Sequence, residues 1–177
     1  LYVSIIDMYK HQWYVAEAVA QLRATGFPVA LDLVGPAYPP ALARFKNTLS
    51  QVDPAGEFIL YSGAVPYQEL HELYAKADLC LFASSCENMP NILLEGMASG
   101  LPIACSNRGP MPEVLGNAGV YFDPENTQNI ALALKELIVS PELRSQKAKL
   151  SFERAQIYSW KRCAHETFEF LAAVSDK

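Results

Sequence analysis

The chain has 177 residues, of which 51% are hydrophobic and 19% charged, and its formal net charge is −5. This balance, at a length typical of one domain, excludes a disordered tail and a small disulfide-stapled domain. No basic cluster interrupts the acidity and no apolar run reaches the ~18 residues of a membrane span, so we expect neither a nucleic-acid partner nor a membrane span.

Short apolar runs alternate with segments of helical periodicity along the whole chain. Strands are predicted over 1–6, 29–34, 58–61, 79–83, 102–105 and 119–122. Helices are predicted over 12–25, 40–50, 67–77, 90–99, 127–139, 141–158 and 160–174, with Ser140-Pro141 and Ser159 as N-caps. The alternation predicts an α/β domain with a doubly wound, mostly parallel sheet. Ligands of such sheets bind beyond the carboxyl ends of the strands, where the strand order reverses.

The cysteines and histidines do not predict a metal site. The cysteines (Cys80, Cys86, Cys105 and Cys163) include no C-x-x-C pair, and we interpret them as buried or semi-buried thiols in a reducing compartment. The histidines (His11, His71 and His165) show neither H-x-x-H nor H-E-x-x-H spacing. We therefore expect no metal site built by the protein and no cofactor.

The most informative segment, 84–95, reads Ser-Ser-Cys-Glu-Asn-Met-Pro-Asn-Ile-Leu-Leu-Glu. Pro90 suits the first position of a helix, which leaves the N–H groups of residues 91–93 without partners inside the helix. The N-terminus of a helix attracts anions, and a diphosphate fits such a site. Glu95 lies about 7.5 Å further along the axis. This separation matches that between the diphosphate and the ribose diol of a nucleotide, and a carboxylate can accept from both hydroxyls.

The same acidic residues also fit an interpretation without a ligand, in which Glu87 is a solvated loop acid and Glu95 a helix-surface acid. Glu95, however, lies inside the apolar run 93–98, where a buried acid needs a partner. Lys10 falls near the start of the helix predicted over 12–25, where the helix dipole disfavours a cation. A bound anion would remove that conflict, and a solvated lysine is the alternative.

For two other loops the sequence fits both a role in binding and a simple turn. The segment 108–113 is a rigid Gly/Pro loop that could shape a pocket rim or form only a turn. The segment 62–66 could face a flat base or form only a turn between a strand and a helix. Neither the phosphate loop of NTPases, nor the dinucleotide fingerprint, nor the elbow of serine hydrolases occurs, which disfavours those three classes.

The run from Glu87 to Pro102 resembles the Glu-x7-Glu signature of retaining GT-B glycosyltransferases, in particular the "group 1" family with its bacterial polysaccharide and lipopolysaccharide enzymes. Further segments fit that family in the same order: Leu33-Val34-Gly35, Tyr61-Ser62-Gly63-Ala64-Val65, Ala77-Asp78-Leu79, Pro112-Glu113-Val114 and Gly119-Val120-Tyr121-Phe122-Asp123-Pro124. The resemblance implies that residues 1–177, the C-terminal helices included, form a Rossmann-like domain that is one half of a GT-B fold. The chain starts inside a predicted strand, which we interpret as an excised domain. The acceptor site is then expected on a separate amino-terminal domain.

The resemblance further implies a nucleotide-diphosphate sugar donor (UDP-, GDP- or ADP-linked), with hexose transfer to a glycan or lipid-linked acceptor and no metal requirement. Glu87 is implied to be the catalytic residue that faces the donor sugar, Glu95 to hold the ribose hydroxyls, and Lys10 to contact the diphosphate. The other implied donor-binding residues are Asn88, Met89, Asn91 and Ile92 around the sugar and diphosphate, and Val65 and Pro66 at the nucleobase edge.

Two departures from the family pattern accompany the resemblance. Ser4-Ile5 stands where the family often has Gly-Arg, so one phosphate-binding cation is missing, and Pro90 stands where many members have Gly. A GT-B-like sugar-nucleotide epimerase and a non-catalytic nucleotide-sugar-binding module remain alternatives. We expect the isolated domain to be inactive. The full-length enzyme is expected in the cytoplasm, and only that full-length form is expected to contact a membrane surface.

Overall fold

The computed structural model describes residues 1–175, so the last two residues of the domain predicted over 1–177 lie outside the described residues. The strands are β1 (Tyr2–Val3), β2 (Leu31–Val34), β3 (Ile59–Tyr61), β4 (Cys80–Phe82), β5 (Ile103–Ser106) and β6 (Gly119–Phe122). The helices are α1 (Gln12–Ala24), α2 (Pro39–Val52), α3 (Leu70–Lys76), α4 (Asn91–Ala98), α5 (Met111–Leu115), α6 (Thr127–Val139), α7 (Pro141–Ala155) and α8 (Trp160–Ser175). Within these residues, no helix combines the length and the apolar character needed to cross a bilayer.

The strands form two parallel three-stranded sheets, with the orders β1-β2-β3 and β4-β5-β6. The edge strands β1 and β4 lie side by side, and the N–H group of Leu81 donates to the carbonyl of Leu1 at 2.9 Å. Across the molecule the strand order is therefore β3-β2-β1-β4-β5-β6. Successive strands are added in one direction from β1 to β3 and in the opposite direction from β4 to β6, so the strand order reverses between β1 and β4. The predicted Rossmann-like α/β fold is confirmed.

Helices cover both faces of these sheets. Helix α1 packs against α2 and α6, and α4 packs against α5 and α7. Because parallel crossover connections are right-handed, the reversal between β1 and β4 sends the helices after β1 and β2 to one face and those after β4 and β5 to the other. The core between the layers is apolar and includes Val15, Leu33, Phe82, Ile103 and Leu134.

Gly35 allows the loops after three strands to lie close together. Its φ is +146°, and a Cβ at this position would lie 2.1 Å from the carbonyl oxygen of Ser4. The Gly35 N–H group donates to the carbonyl of Gly63 at 2.8 Å. No other residue type fits this approach, so the glycine holds the loops after β1, β2 and β3 side by side at one edge of the molecule.

The predicted elements occur in the predicted order, with several different boundaries. The strand predicted over 1–6 is limited to β1, and Ile6 forms only an isolated bridge. The helix predicted over 67–77 is divided into a 3₁₀ turn (Tyr67–Glu69) and α3. Residues 111–115 form α5 where only a turn was expected; a proline in the first helical turn needs no N–H partner there.

The N-cap predictions are confirmed, and the cysteine prediction is wrong in part. The hydroxyl of Ser140 accepts from the N–H of Leu143, and that of Ser159 from Arg162, each at 3.1 Å. All four cysteines are free; Cys80 and Cys105 are buried, but Cys86 and Cys163 are exposed. Cys86 lies in the loop after β4, and Cys163 lies on α8, whose residues are all exposed.

Candidate functional site

The loops that follow β1 and β4 contact each other at the carboxyl ends of these strands. The N–H group of Ser85 donates to the carbonyl of Tyr9 at 2.8 Å. The imidazole Nε2 of His11 lies 2.8 Å from the Ser85 hydroxyl oxygen. His11 has φ 55°, a left-handed conformation that ends one turn and begins α1. These contacts join the two sheets where the strand order reverses, which is where ligands of such folds bind.

Lys10 is held from several sides in this loop. It ends a 3₁₀ turn (Met8–Lys10), and its backbone carbonyl accepts from the Tyr2 hydroxyl at 2.7 Å. Its ammonium nitrogen lies 5.1 Å from the centre of the Phe82 ring, a cation–π arrangement. The side chain is buried, its charged end lies against Phe82 of β4, and its backbone is held by Tyr2 of β1. It is therefore not the solvated lysine that sequence alone left open.

Lys10 forms an ion pair with Glu87, which lies in the loop after β4. The two side chains are only 6% and 16% exposed. Sequence reasoning gave these residues separate roles, and the structure brings them into direct contact. The pair places a cation and a carboxylate side by side at the junction of the two sheets.

The start of α4 offers two free N–H groups beside this pair. Pro90 has φ −80° and ψ 76°, a conformation that turns the chain so that the N–H of Asn91 donates to the carbonyl of Met89 at 2.9 Å. The Asn91 N–H group is therefore occupied by a carbonyl that lies before the helix, and the helix begins one residue later than predicted. None of the described residues accepts from the N–H groups of Ile92 and Leu93. Leu93 is fully buried, whereas Ile92 is partly exposed, so only the N–H group of Ile92 can meet a ligand at the positive end of the helix.

Glu95 lies further along α4 and is half-buried. Its Oε2 lies 3.5 Å from the hydroxyl of Tyr74, a residue of α3. Burial raises the pKa of Glu95, and the hydrogen bond from Tyr74 opposes that shift. Glu95, an acid inside an apolar helix, thus has in Tyr74 the hydrogen-bond partner that a partly buried carboxylate needs.

The remaining predicted residues lie around these groups with different exposure. Asn88 is exposed, and Met89 is 43% exposed and borders a cleft of about 500 Å³ against Ile157 and Phe170. Val65 is partly buried, and the carbonyl of Pro66 accepts from an N–H of the following 3₁₀ turn. Val65 and Pro66 follow β3 at the edge that carries the other loops. Their contact with a base stays a prediction, as do the roles of Asn88 and Met89.

Arg108 stabilises its own loop. Its guanidinium lies 3.1 Å from both carboxylate oxygens of Asp123, and its N–H donates to the Ser106 hydroxyl at 3.1 Å. These contacts brace the turn that leads into α5, which begins at Met111. Among the residues described, no group of three or more His, Cys, Asp and Glu side chains could hold a metal ion.

Sequence reasoning missed the residues that support this site, namely Tyr2, Tyr74, Ser85 and His11. The contacts of Tyr74, Ser85 and His11 join positions at least 21 residues apart in the chain, so spacing alone gives no indication of them. A weak signal existed for Tyr2 only, because a tyrosine in a buried strand needs a partner for its hydroxyl.

The fold and the placement of the site define a class of protein, the GT-B glycosyltransferases. HepE from Anabaena, solved in complex with UDP-glucose, matches 97% of this chain with a TM-score of 0.85 at 19% identity, and 48% of HepE is covered. The C-terminal domain of LpcC, a group 1 glycosyl transferase from Francisella tularensis, matches 88% of this chain with a TM-score of 0.78 at 24% identity, and 83% of that chain is covered.

The sequence gives the family. The model of the family Glycosyl transferases group 1 matches residues 1–140, and the chain belongs to this family. O-antigen chain mannosyltransferase B of Escherichia coli is 32% identical over 110 residues, which are 62% of this chain and 29% of that protein. The chain therefore spans less than a third of this relative and about half of HepE. The predicted family is confirmed, and the roles of individual residues remain predictions.

Proposed function

We propose that this chain binds the nucleotide-diphosphate sugar of a retaining glycosyltransferase, whose full-length form moves a hexose to a glycan or lipid-linked acceptor. The observation that carries the proposal is the meeting of Lys10, Glu87 and the start of α4 where the strand order reverses. A cation, the N–H group of Ile92 at a helix start and a carboxylate suit a diphosphate joined to a neutral sugar.

In the proposed reaction, negative charge grows on the departing diphosphate. Lys10, shared between Glu87 and the diphosphate, and the N–H group of Ile92 would stabilise this charge, so transfer would need no metal ion. The anomeric carbon becomes positive at the same time, and the Glu87 carboxylate would support that charge and orient the sugar. Glu95 would accept from the ribose hydroxyls one to two turns further along α4.

The relatives support a proposal for the donor base and for the second half of the enzyme. HepE is solved with UDP-glucose, which supports UDP ahead of GDP and ADP, with Val65 and Pro66 facing the base. Because the chain spans about half of HepE, we assign the acceptor site to a separate amino-terminal domain. The isolated chain would then bind the donor without transferring it. We place the full-length enzyme in the cytoplasm, with membrane contact where lipid-linked acceptors lie.

A titration of the ¹⁵N-labelled chain with UDP, GDP and ADP tests the proposal. We expect one nucleotide to shift the amide signals of residues 87–95, most strongly that of Ile92, whose N–H group would meet the phosphates. If none of the three nucleotides moves these signals, the donor site is wrongly assigned.

The variant Glu95→Ala tests the ribose contact in the same titration. We expect weaker nucleotide binding with the fold intact. The matched control is Glu72→Ala, an exposed acid on α3 whose Lys76 partner lies at 3.8 Å, and it should bind as the unchanged chain does. Loss of folding in Glu95→Ala would mark Glu95 as a structural residue instead.

A further inference from the structure

Tyr74 and Glu95 link α3 to α4. The Tyr74 side chain is only 4% exposed, and its hydroxyl lies 3.5 Å from Oε2 of Glu95. Twenty-one residues separate the two positions in the chain, so the contact exists only in the folded protein. Neither the sequence nor the proposed function gives Tyr74 a role.

The direction of this hydrogen bond follows from the chemistry of the two groups. An ionised carboxylate only accepts, so the Tyr74 hydroxyl is the donor. Burial raises the pKa of Tyr74, as does the neighbouring Glu95 carboxylate, so the phenol keeps its proton. The same bond favours the ionised form of Glu95 and opposes the effect of burial on the pKa of that residue.

The bond fixes one oxygen of Glu95 and leaves the other without a protein partner. Among the described residues, no side chain or backbone group donates to Oε1. Oε2 keeps a second lone pair besides the one that faces Tyr74. A carboxylate held in one rotamer therefore retains acceptor sites on both oxygens, as two vicinal hydroxyls require.

We propose that Tyr74 is a positioning residue, whose hydroxyl holds the Glu95 carboxylate in the orientation that accepts from the ribose hydroxyls of the donor. The inference rests on the proposed function. It predicts that Tyr74 acts only on the recognition of the ribose diol. The contribution of Tyr74 should vanish for a nucleotide that lacks both hydroxyls.

The test compares UDP with 2′,3′-dideoxyuridine 5′-diphosphate on the unchanged chain and on Tyr74→Phe, by calorimetry or NMR titration. Phenylalanine keeps the buried ring and removes only the hydroxyl. We expect the variant to bind UDP about five-fold more weakly, the effect of one net hydrogen bond. Binding of the dideoxy nucleotide should be the same for both proteins.

The matched control is Tyr121→Phe, which removes a hydroxyl that donates to the carbonyl of Gly116, away from this site. It should bind both nucleotides as the unchanged chain does. Equal weakening of both nucleotides by Tyr74→Phe would show a structural role and overturn the inference. Unchanged UDP binding in that variant would overturn it as well.

A second variant covers the case in which Tyr74→Phe does not fold because a half-buried carboxylate has lost its partner. In Glu95→Ala no carboxylate remains, so the double variant with Tyr74→Phe lacks that penalty. Because Tyr74 then has nothing to position, we expect Glu95→Ala and the double variant to bind UDP equally, and a further loss in the double variant would contradict the inference. If the unchanged chain binds no nucleoside diphosphate, the proposed function fails and the inference fails with it. If the chain prefers UDP to its dideoxy form but Tyr74→Phe does not alter that preference, only the inference fails.

Discussion

The Lys10–Glu87 pair is nearly excluded from water, and this burial decides its energetics. Removing an ion from water is costly, and in this site each partner offsets the cost for the other. Two further groups contact Lys10. The Tyr2 hydroxyl of β1 donates to its backbone carbonyl, and the Phe82 ring of β4 lies beside its ammonium group. Deleting one charge therefore leaves the other poorly solvated, whereas deleting both leaves a largely apolar contact.

We expect Lys10→Met to lower the free energy of unfolding by about 2 kcal/mol, because Glu87 is left without its partner. The double variant Lys10→Met/Glu87→Gln should recover part of that loss. Urea denaturation of the chain, the two single variants and the double variant measures both effects. The matched control is Lys76→Met, whose exposed Glu72 partner should make the loss less than about 0.5 kcal/mol. A double-variant loss equal to the sum of the single losses would contradict the prediction.

At the scale of elements, Asp53 determines how α2 is followed by β3. Its buried carboxylate accepts from the N–H groups of Glu57, Phe58 and Ile59 at 2.8–3.0 Å. Burial raises the pKa of Asp53, but the three N–H donors outweigh burial, and the net pKa is lowered. The lowered pKa means that Asp53 stabilises the fold above the pKa of the unfolded chain, and this contribution is lost as the pH falls through the folded value.

We expect Asp53→Asn to lower the free energy of unfolding by about 1–3 kcal/mol at pH 6, because hydrogen bonds to a charged acceptor are lost. The difference from the unchanged chain should shrink below about pH 4, where Asp53 takes up a proton in the unfolded chain before it does so in the folded protein. Urea unfolding at pH 6, 5, 4 and 3 follows the difference. An equal difference at pH 6 and pH 3 would show that the charge of Asp53 is irrelevant.

Local patterns predicted some elements closely and others poorly, for physical reasons. Helix α6 has the predicted bounds, because the Asn126 side chain caps its first turn and apolar residues repeat at helical spacing. Helix α4 begins one residue late, because the ψ of Pro90 depends on the fold of the loop before it. Sequence patterns single out candidate site residues that lie within one segment, such as Glu87 and Glu95, whose roles stay predictions. Contacts such as Tyr74–Glu95 depend on how helices pack, which local spacing does not encode.

At the scale of the whole molecule, α8 stands apart from the rest of the fold. Every residue of α8 is exposed, including Trp160, Phe168 and Phe170. Burial of apolar area is the main source of stability, so this helix contributes little to the free energy of folding of the chain. The stability of the molecule is expected to reside in residues 1–158.

A chain that ends at Tyr158 should unfold with a free energy within about 1 kcal/mol of the full chain, because α8 buries almost no surface. Urea denaturation of both chains measures the difference, and nucleotide titration should give the same affinity for both. The comparison variant is Leu137→Ala in the buried face of α6, which should lose about 2–5 kcal/mol. A loss above about 2 kcal/mol in the shortened chain would refute the expectation.

The strands form two separate hydrogen-bonded sheets, which meet between β1 and β4. The Leu81–Leu1 hydrogen bond and the loop contacts of Lys10 and Ser85 connect the two sheets there. A ligand held by Lys10 on one side and by the first turn of α4 on the other would be a non-covalent crosslink between the halves. Bound donor should then slow hydrogen–deuterium exchange deep in both sheets as well as in the loops that touch it. The substrate would in this way become part of the framework that recognises it.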